Sequence, residues 1–166
     1  MPSKIVHPEP LDPNAFAPFG DVLIRPDHPP TRDLRDYRYW DKIATLSFSN
    51  DPVDLAYLTL HHRPLRLTQM ERHRKASQTF IPLSQTPCIF ALAPAHESKQ
   101  TGPPDIEVIR AFIIEGQNGV NLHPGTWHWS MFPLEETADF IMVVRRDTIV
   151  DDQEIVELEG EVELKV

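Results

Sequence analysis

Glu71 and His73 have side chains that can act as acids, bases or metal ligands, and a single residue separates them in the sequence. The segment around them has the two-residue alternation expected of a strand. Because successive side chains of a β-strand point to opposite faces, Leu65, Leu67, Glu71 and His73 would share one face of a strand over 65–73. We take the two leucines to mark that face as the protein interior. A buried carboxylate is costly unless it is paired, hydrogen-bonded or bound to a metal. The pattern therefore predicts a compensating partner for Glu71. For an isolated pair, a buried ion pair without function is the simpler interpretation.

A second segment supports a functional interpretation of this pair. The spacing of Glu71, one residue, His73, four residues and Gln78 resembles the first motif of the cupin family, His-x-His-x4-Glu. The segment 119–128, which ends in Pro-Gly-Thr-Trp-His, resembles the second cupin motif. The resemblance implies that Glu71, His73, Gln78 and His128 converge on one divalent metal inside a barrel. Two imidazoles, a carboxylate and an amide oxygen suit nickel, manganese, iron or zinc. Gln78 is a weak ligand, so a substrate contact by Gln78 stays open.

A wider set of segments resembles the bacterial and fungal ureidoglycolate lyase family. The resemblance covers residues 10–146 and is carried by Phe19-Gly20-Asp21-Val22, Glu71-Arg72-His73, Gln78-Thr79-Phe80-Ile81-Pro82, Arg110-Ala111-Phe112, Gly119-Val120-Asn121, His123, Trp127-His128 and Asp139-Phe140. It implies a homodimeric cupin that cleaves the small molecule (S)-ureidoglycolate to glyoxylate and urea, in allantoin and purine breakdown. The implied activity is that of a carbon-nitrogen lyase.

The segments that carry this resemblance contain the groups such a reaction needs. Loss of urea requires proton removal from the carbinol hydroxyl, a holder for the carboxylate, and a proton for the departing nitrogen. His73, His123 and His128 are candidates for the base and the acid near neutral pH, and Glu71 joins them as a catalytic carboxylate. A bound metal would acidify the hydroxyl and fix the geometry.

Two arginines, Arg72 and Arg110, are the candidates for binding the substrate carboxylate. Strand alternation places Arg72 opposite Glu71, and it places Arg110 opposite Ile109 and Ala111. An outward position, with a surface ion pair for Arg110, is therefore the alternative to substrate binding.

Departures from the family pattern keep two other functions open. The chain has His128-Trp129 where the family has two histidines, and the charged run 32–36 where the family has Asn-Asn-Gly. The first alternative is a cupin metalloenzyme, an isomerase or an oxygenase, that acts on another small organic acid. The second is a cupin that binds a small carboxylate without catalysis.

The elements that must position these residues are short strands. Prolines, 17 in 166 residues, separate short apolar runs, which favours an all-β fold over long helices. Together with the motifs, this predicts a cupin-type double-stranded β-helix, or jelly-roll barrel. One short N-terminal helix is expected where Asp12 can cap and Pro13 can take the first helical position. The segment 25–42 is charged and loop-like.

The length predicts one cupin-like domain over residues 1–166. Within it we expect an N-terminal helix and arm at 1–50, a barrel core at 51–150 and a C-terminal strand at 151–166. That last segment holds seven of the 25 acidic residues, but they alternate with apolar residues, as in a strand with one wet face. Since the other charges nearly balance, we expect neither a nucleic-acid nor a membrane partner.

The cysteine and glycine residues limit which disulfides, cellular settings and cofactors are expected. Cys88 is the single cysteine, so an intramolecular disulfide is excluded and a small core residue is expected. The setting is therefore expected to be reducing and cytoplasmic, and the N-terminus lacks the apolar stretch of a secretory signal. No glycine-rich loop that would hold a phosphate is present, so no nucleotide cofactor is expected.

Overall fold

A computed structural model describes residues 2–95 and 101–166, which form mostly short β-strands. In chain order the strands are β1 Ser3–Val6, β2 Glu9–Pro10, β3 Gly20–Leu23, β4 Arg32–Asp33, β5 Arg38–Tyr39, β6 Val53–His61, β7 Arg66–Arg72, β8 Gln78–Pro82, β9 Cys88–Ala93, β10 Arg110–Ile114, β11 Gly119–Leu122, β12 Trp127–His128, β13 Phe132–Pro133, β14 Thr137–Arg145 and β15 Glu154–Leu164. The helices are α1 Pro13–Phe16, α2 Thr148–Asp151 and a 3-10 turn at Ile106–Val108.

The strands form two main sheets with the order expected for a jelly roll. The first sheet runs β1-β15-β7-β12-β9-β10-β2, with β13 also on β9, and the second runs β3-β11-β8-β14-β6. Eight of these strands, β6 to β12 and β14, enter the two sheets as β7-β12-β9-β10 and β6-β14-β8-β11, which is the jelly-roll arrangement. The predicted all-β, cupin-type double-stranded β-helix is confirmed.

Apolar residues form two clusters, one on each face of the first sheet. The inter-sheet core contains side chains from both sheets, such as Phe90 and Phe140. The outer cluster contains side chains from the first sheet and its flanking segments, such as Leu67 and Trp127. Strand β9 lies between the two clusters, which explains why its sequence is apolar throughout and why all six of its residues are buried. Cys88 begins this strand and is a core residue, as expected.

Strand β7 does not alternate as its sequence suggests. Leu67 and Met70 are three residues apart, yet both belong to the outer cluster, which strict alternation would forbid. The register between β7 and its neighbour β15 is irregular at this point, between Glu157 and Val162. Glu71 follows Met70 and faces away from the outer cluster. Glu71 therefore points toward the interior and is mostly buried, as predicted. Leu67 lies on the opposite face of β7, contrary to the prediction.

The predicted N-terminal helix is present as the single turn α1. The Asp12 carboxylate accepts hydrogen bonds from the backbone N–H groups of Asn14 and Ala15, and Pro13 occupies the first turn. The arm that follows, predicted as loop-like, contains the small hairpin of β4 and β5, whose residues are exposed.

The C-terminal segment completes the first sheet. Strand β15 buries Leu158, Val162 and Leu164 and exposes acidic residues between them, which confirms the strand with one wet face. It pairs with β7 and with β1. No helix among the described residues is long and apolar enough to cross a membrane. The division into 1–50, 51–150 and 151–166 stays a prediction.

Candidate active site

Three of the predicted site residues, Glu71, His73 and His128, come together at one end of the inter-sheet space. Glu71 on β7 stands directly opposite His128 on β12 in the antiparallel register, and His73 follows the end of β7. One ligand atom from each of the three lies within 4.8 Å of the others. The Oε1 atom of Glu71 is 3.6 Å from Nε2 of His128 and 3.9 Å from Nε2 of His73.

The turn before β12 positions His128. Gly125 has a φ of +83°, a conformation that favours glycine, and its N–H donates to the carbonyl of His73 at 2.7 Å. This bond joins the turn to the end of β7. The Pro-Gly-Thr-Trp-His pattern thus brings the second motif against the first.

Backbone carbonyls fix the orientation of both imidazoles. Nδ1 of His128 lies 3.0 Å from the carbonyl of Thr126, and Nδ1 of His73 lies 2.6 Å from the carbonyl of Asp152. A carbonyl only accepts hydrogen bonds, so each Nδ1 carries the proton and donates. Each neutral imidazole therefore presents the lone pair of Nε2 toward Glu71.

With both rings neutral, the centre of the group contains three acceptors and no donor from these three side chains. Nε2 of His128 is buried and has no hydrogen-bond partner among the described residues. Burial lowers the pKa of His128 from 6.5 to about 4, against the opposing influence of the Glu71 carboxylate, so the ring is neutral at pH 7. A cation placed among the three atoms would remove the repulsion between them.

The side chains also match a divalent metal in chemistry. Two imidazole nitrogens and a carboxylate oxygen are ligands of zinc, iron, manganese and nickel, and the carbonyl partners at Nδ1 are the outer contacts that metal-bound histidines commonly have. The side chains of His73 and His128 are 4% exposed and that of Glu71 is 15% exposed, so Glu71 is the most accessible of the three. The chemistry of Glu71, His73 and His128 therefore fits a metal site.

A fourth side chain, Gln153, contacts this group and was missed in the sequence. Its Nε2 donates to Oε2 of Glu71 at 2.5 Å. Gln153 lies between α2 and β15, 82 residues after Glu71. No local motif marks this position, because the contact depends on the pairing of β15 with β7.

The segment that carries Gln153 is anchored to the turn after His73. The Asp152 carboxylate accepts hydrogen bonds from the N–H groups of Arg74 and Lys75 at 2.9 and 2.8 Å. Arg145 holds the preceding residue, Asp151, through two bonds of 2.6 and 2.8 Å. The C-terminal segment is therefore part of the site, although the sequence suggested only a strand there.

Gln78, predicted as a ligand or substrate contact, is buried at the start of β8. Its Oε1 atom has no hydrogen-bond partner among the residues described. An amide oxygen in this condition is available to a ligand.

The two arginines predicted to bind substrate each form an ion pair with a carboxylate outside this group. Arg72 lies on the other face of β7, where it forms a two-bond ion pair with Glu154 at 2.8 and 3.1 Å. Its guanidinium carbon is 4.2 Å from the ring centre of Trp127 in the outer cluster. Alternation explains this placement, and it corrects the expectation of a carboxylate clamp at Arg72.

Arg110 lies on the face of β10 away from the outer cluster, yet its side chain is 38% exposed and forms the ion pair that the alternative predicted. Ile109 and Ala111 belong to the outer cluster, so the residue between them faces the second sheet. In the sheet register Arg110 pairs with Leu92, which also pairs with His128. The guanidinium is bound to Glu9 by bonds of 2.9 and 2.8 Å.

His123, predicted as a base or acid, is paired elsewhere. Its Nε2 lies 3.5 Å from the Asp21 carboxylate, and its side chain is 46% exposed. Asp21 also accepts a hydrogen bond from the buried Asn121 at 3.0 Å. His123 and Asn121 therefore share Asp21 as a partner, which connects His123 to the hydrogen bonds between β3 and β11.

A family model and curated relatives both identify the family of this chain. The family model described as ureidoglycolate lyase matches residues 3–165. A protein of Pseudomonas fluorescens (strain SBW25) named ureidoglycolate lyase is 35% identical over 147 residues, which is 84% of each chain. A protein of the same name from Pseudomonas paraeruginosa (strain DSM 24068 / PA7) is 36% identical over 150 residues, 82% of this chain and 81% of its own. RmlC from Streptococcus suis, solved in complex with dTDP-D-xylose, aligns with a TM-score of 0.38 and 8% identity over 56% of this chain and 43% of its own.

Proposed function

The chain belongs to the ureidoglycolate lyase family, and we propose that Glu71, His73 and His128 are the centre at which it cleaves ureidoglycolate to glyoxylate and urea. The observation that carries this assignment is the group of three acceptor atoms within 4.8 Å of one another. Family membership favours the lyase over an isomerase, an oxygenase or a non-catalytic carboxylate-binding protein.

Glu71, His73 and His128 would hold a divalent metal, with Gln78 as a further donor through its unpartnered amide oxygen. When bound, the metal supplies Lewis-acid chemistry that lowers the pKa of the substrate hydroxyl. Nickel, manganese, iron and zinc all accept this set of ligands. The two Nδ1 hydrogen bonds direct both Nε2 lone pairs to the centre.

The net reaction moves one proton from the carbinol oxygen to the departing nitrogen. The O–H bond breaks, a C=O bond forms, the C–N bond breaks and the urea nitrogen gains the proton. One group that accepts and then returns a proton is sufficient for this sequence. Glu71 is the residue proposed for this proton transfer. Its carboxylate is the most accessible of the three side chains, and it keeps lone pairs beyond the one that accepts the hydrogen bond from Gln153.

Arg110 and Gln78 are the proposed contacts for the rest of the substrate. Arg110 shares the inter-sheet face with His128, and its planar guanidinium suits a carboxylate. Binding substrate would require the guanidinium to exchange the Glu9 carboxylate for that of the substrate. His123 has no role in this proposal, because it pairs with Asp21.

We also propose that the chain is a homodimer, with the outer face of the second sheet as the contact. Tyr57, Ile141 and Ile81 form one row across β6, β14 and β8, and Leu55 stands in the next row. Leu55 and Tyr57 are 73% and 65% exposed, which is unusual for neighbouring large apolar side chains. Sedimentation of the wild type and of a Leu55→Glu/Tyr57→Glu variant tests this. A monomeric wild type would contradict the dimer.

Turnover of (S)-ureidoglycolate by the purified chain, supplied in turn with each of the four metals, tests the assignment. Glyoxylate and urea are measured together with dissolved oxygen. Equal amounts of the two products, formed faster than by the spontaneous reaction and without oxygen consumption, are expected. No acceleration with any metal would reject the substrate, and oxygen consumption would indicate an oxygenase.

A further inference from the structure

The contact between Gln153 and Glu71 joins the C-terminal segment to the reacting group. Gln153 is an exposed residue, and its side chain reaches from the solvent side to Oε2 of Glu71 at 2.5 Å. A carboxylate can only accept, so the amide nitrogen of Gln153 must be the atom that faces it. Hydrogen bonds to a charged acceptor are among the stronger ones in proteins.

This contact determines which carboxylate oxygen faces the histidines. The two oxygens of Glu71 are chemically equivalent, but Oε2 is bound to Gln153 and Oε1 lies 3.6 and 3.9 Å from the two Nε2 atoms. Without Gln153, the hydrogen bond that holds Oε2 would be lost. Repulsion from the two Nε2 lone pairs would then favour a carboxylate turned away from the centre.

We propose that Gln153 is a positioning residue that holds the Glu71 carboxylate in its active orientation, with Oε1 toward His73 and His128. The proposal rests on the proposed catalytic role of Glu71. It makes the strand pairing of β15 with β7 a requirement for activity, because that pairing brings residue 153 to residue 71.

The same segment also fixes His73. The Asp152 carbonyl accepts the Nδ1–H of His73 at 2.6 Å, and the Thr148 hydroxyl lies 3.3 Å from the same nitrogen. Gln153 is thus one of two adjacent residues that orient two members of the group. Its own contribution is separable, because it acts through a side chain and Asp152 acts through its backbone.

The test replaces Gln153 by Met, which keeps the length and removes the donor, and by Glu, which places a second carboxylate beside Glu71. Glu157→Met is the matched control, because Glu157 is an exposed residue on the same face of the same segment. Activity is measured as kcat and KM, and the ring signals of His73 and His128 are followed by NMR in the metal-free protein.

We expect both Gln153 variants to lose about 10- to 100-fold in kcat, the range for residues that orient a metal ligand, with KM changed less than about threefold. The ring signals of His73 and His128 should shift in both variants and stay unchanged in Glu157→Met. A kcat of Gln153→Met within about twofold of wild type, or unchanged ring signals, would overturn the proposal. If the wild type has no turnover, the proposed function fails, while the ring signals still decide whether Gln153 positions Glu71.

Discussion

Glu71 and His128 face each other across paired strands with Oε1 and Nε2 3.6 Å apart, and neither atom carries a hydrogen toward the other. The His128 ring is oriented by the Thr126 carbonyl and kept neutral by burial. Two acceptors at this distance repel unless a cation or a substrate donor lies between them.

Replacement of either imidazole should abolish tight metal binding. In His73→Ala and in His128→Ala one nitrogen ligand is lost, and we expect the affinity for manganese or nickel to fall by about 100-fold or more. Isothermal titration calorimetry measures this directly. The exposed His61, changed to Ala, is the control and should bind like the wild type. Equal affinities in all four proteins would show that metal binds elsewhere or only weakly.

Arg72 should matter for stability and not for substrate affinity. Arg72→Met leaves Glu154 with Arg74 as its remaining arginine partner and removes the guanidinium from the Trp127 ring. We therefore expect a loss of about 1 to 3 kcal/mol in the free energy of unfolding. KM should stay within about threefold. Urea denaturation and steady-state kinetics give the two numbers. A large rise in KM with unchanged stability would restore Arg72 as a substrate clamp.

The Glu154 ion pairs should make stability depend on pH in the acidic range. Hydrogen bonds from Arg72 hold the pKa of Glu154 below its ordinary value of 4.5. A lowered carboxyl pKa in the folded state stabilises the protein above pH 4.5, and that contribution is lost as the pH falls through the folded-state value. The difference in unfolding free energy between wild type and Glu154→Gln should therefore be largest near pH 7 and shrink below pH 4.5. A difference that grew on acidification would refute this explanation.

Cys88 should be unreactive in the folded protein. The thiol is fully buried in the inter-sheet core, and burial raises its pKa to about 12, so almost no thiolate exists at pH 8. Iodoacetamide should leave it unmodified in native conditions and alkylate it in urea, as intact mass spectrometry would report. Rapid alkylation of the native chain would mean that this end of the barrel opens easily.

Local patterns together with the family resemblance were sufficient to predict the fold and the central group. The resemblance of two short segments to the cupin motifs related Glu71 and His73 to His128, more than fifty positions away. Each motif is local, because a turn and a strand are encoded in consecutive residues. The cap at Asp12 and the alternation of β15 were equally local signals. The prediction that the leucines share a face with Glu71 was wrong, because the strand alternation breaks where the register with β15 is irregular. The sequence of β7 gives no signal of that break.

The contacts that the sequence did not predict all join distant segments. Gln153 reaches Glu71 across 82 positions, and the partner that removes Arg72 from the site, Glu154, is equally distant. Alternation correctly predicted that Arg110 and Ile109 lie on opposite faces of the strand. Which of the two faces is the outer one depends on the packing of the outer cluster. Face assignment in a sheet with apolar clusters on both sides needs the tertiary structure.

The rate of glyoxylate release from (S)-ureidoglycolate by the wild type and by Glu71→Gln, under identical metal supply, tests the central assignment most directly. Gln keeps the shape of the side chain and loses the ability to accept and return a proton at this site. The account predicts that kcat falls by about 10²- to 10⁴-fold while the thermal unfolding midpoint changes little. A Glu71→Gln enzyme that releases glyoxylate at the wild-type rate would contradict it.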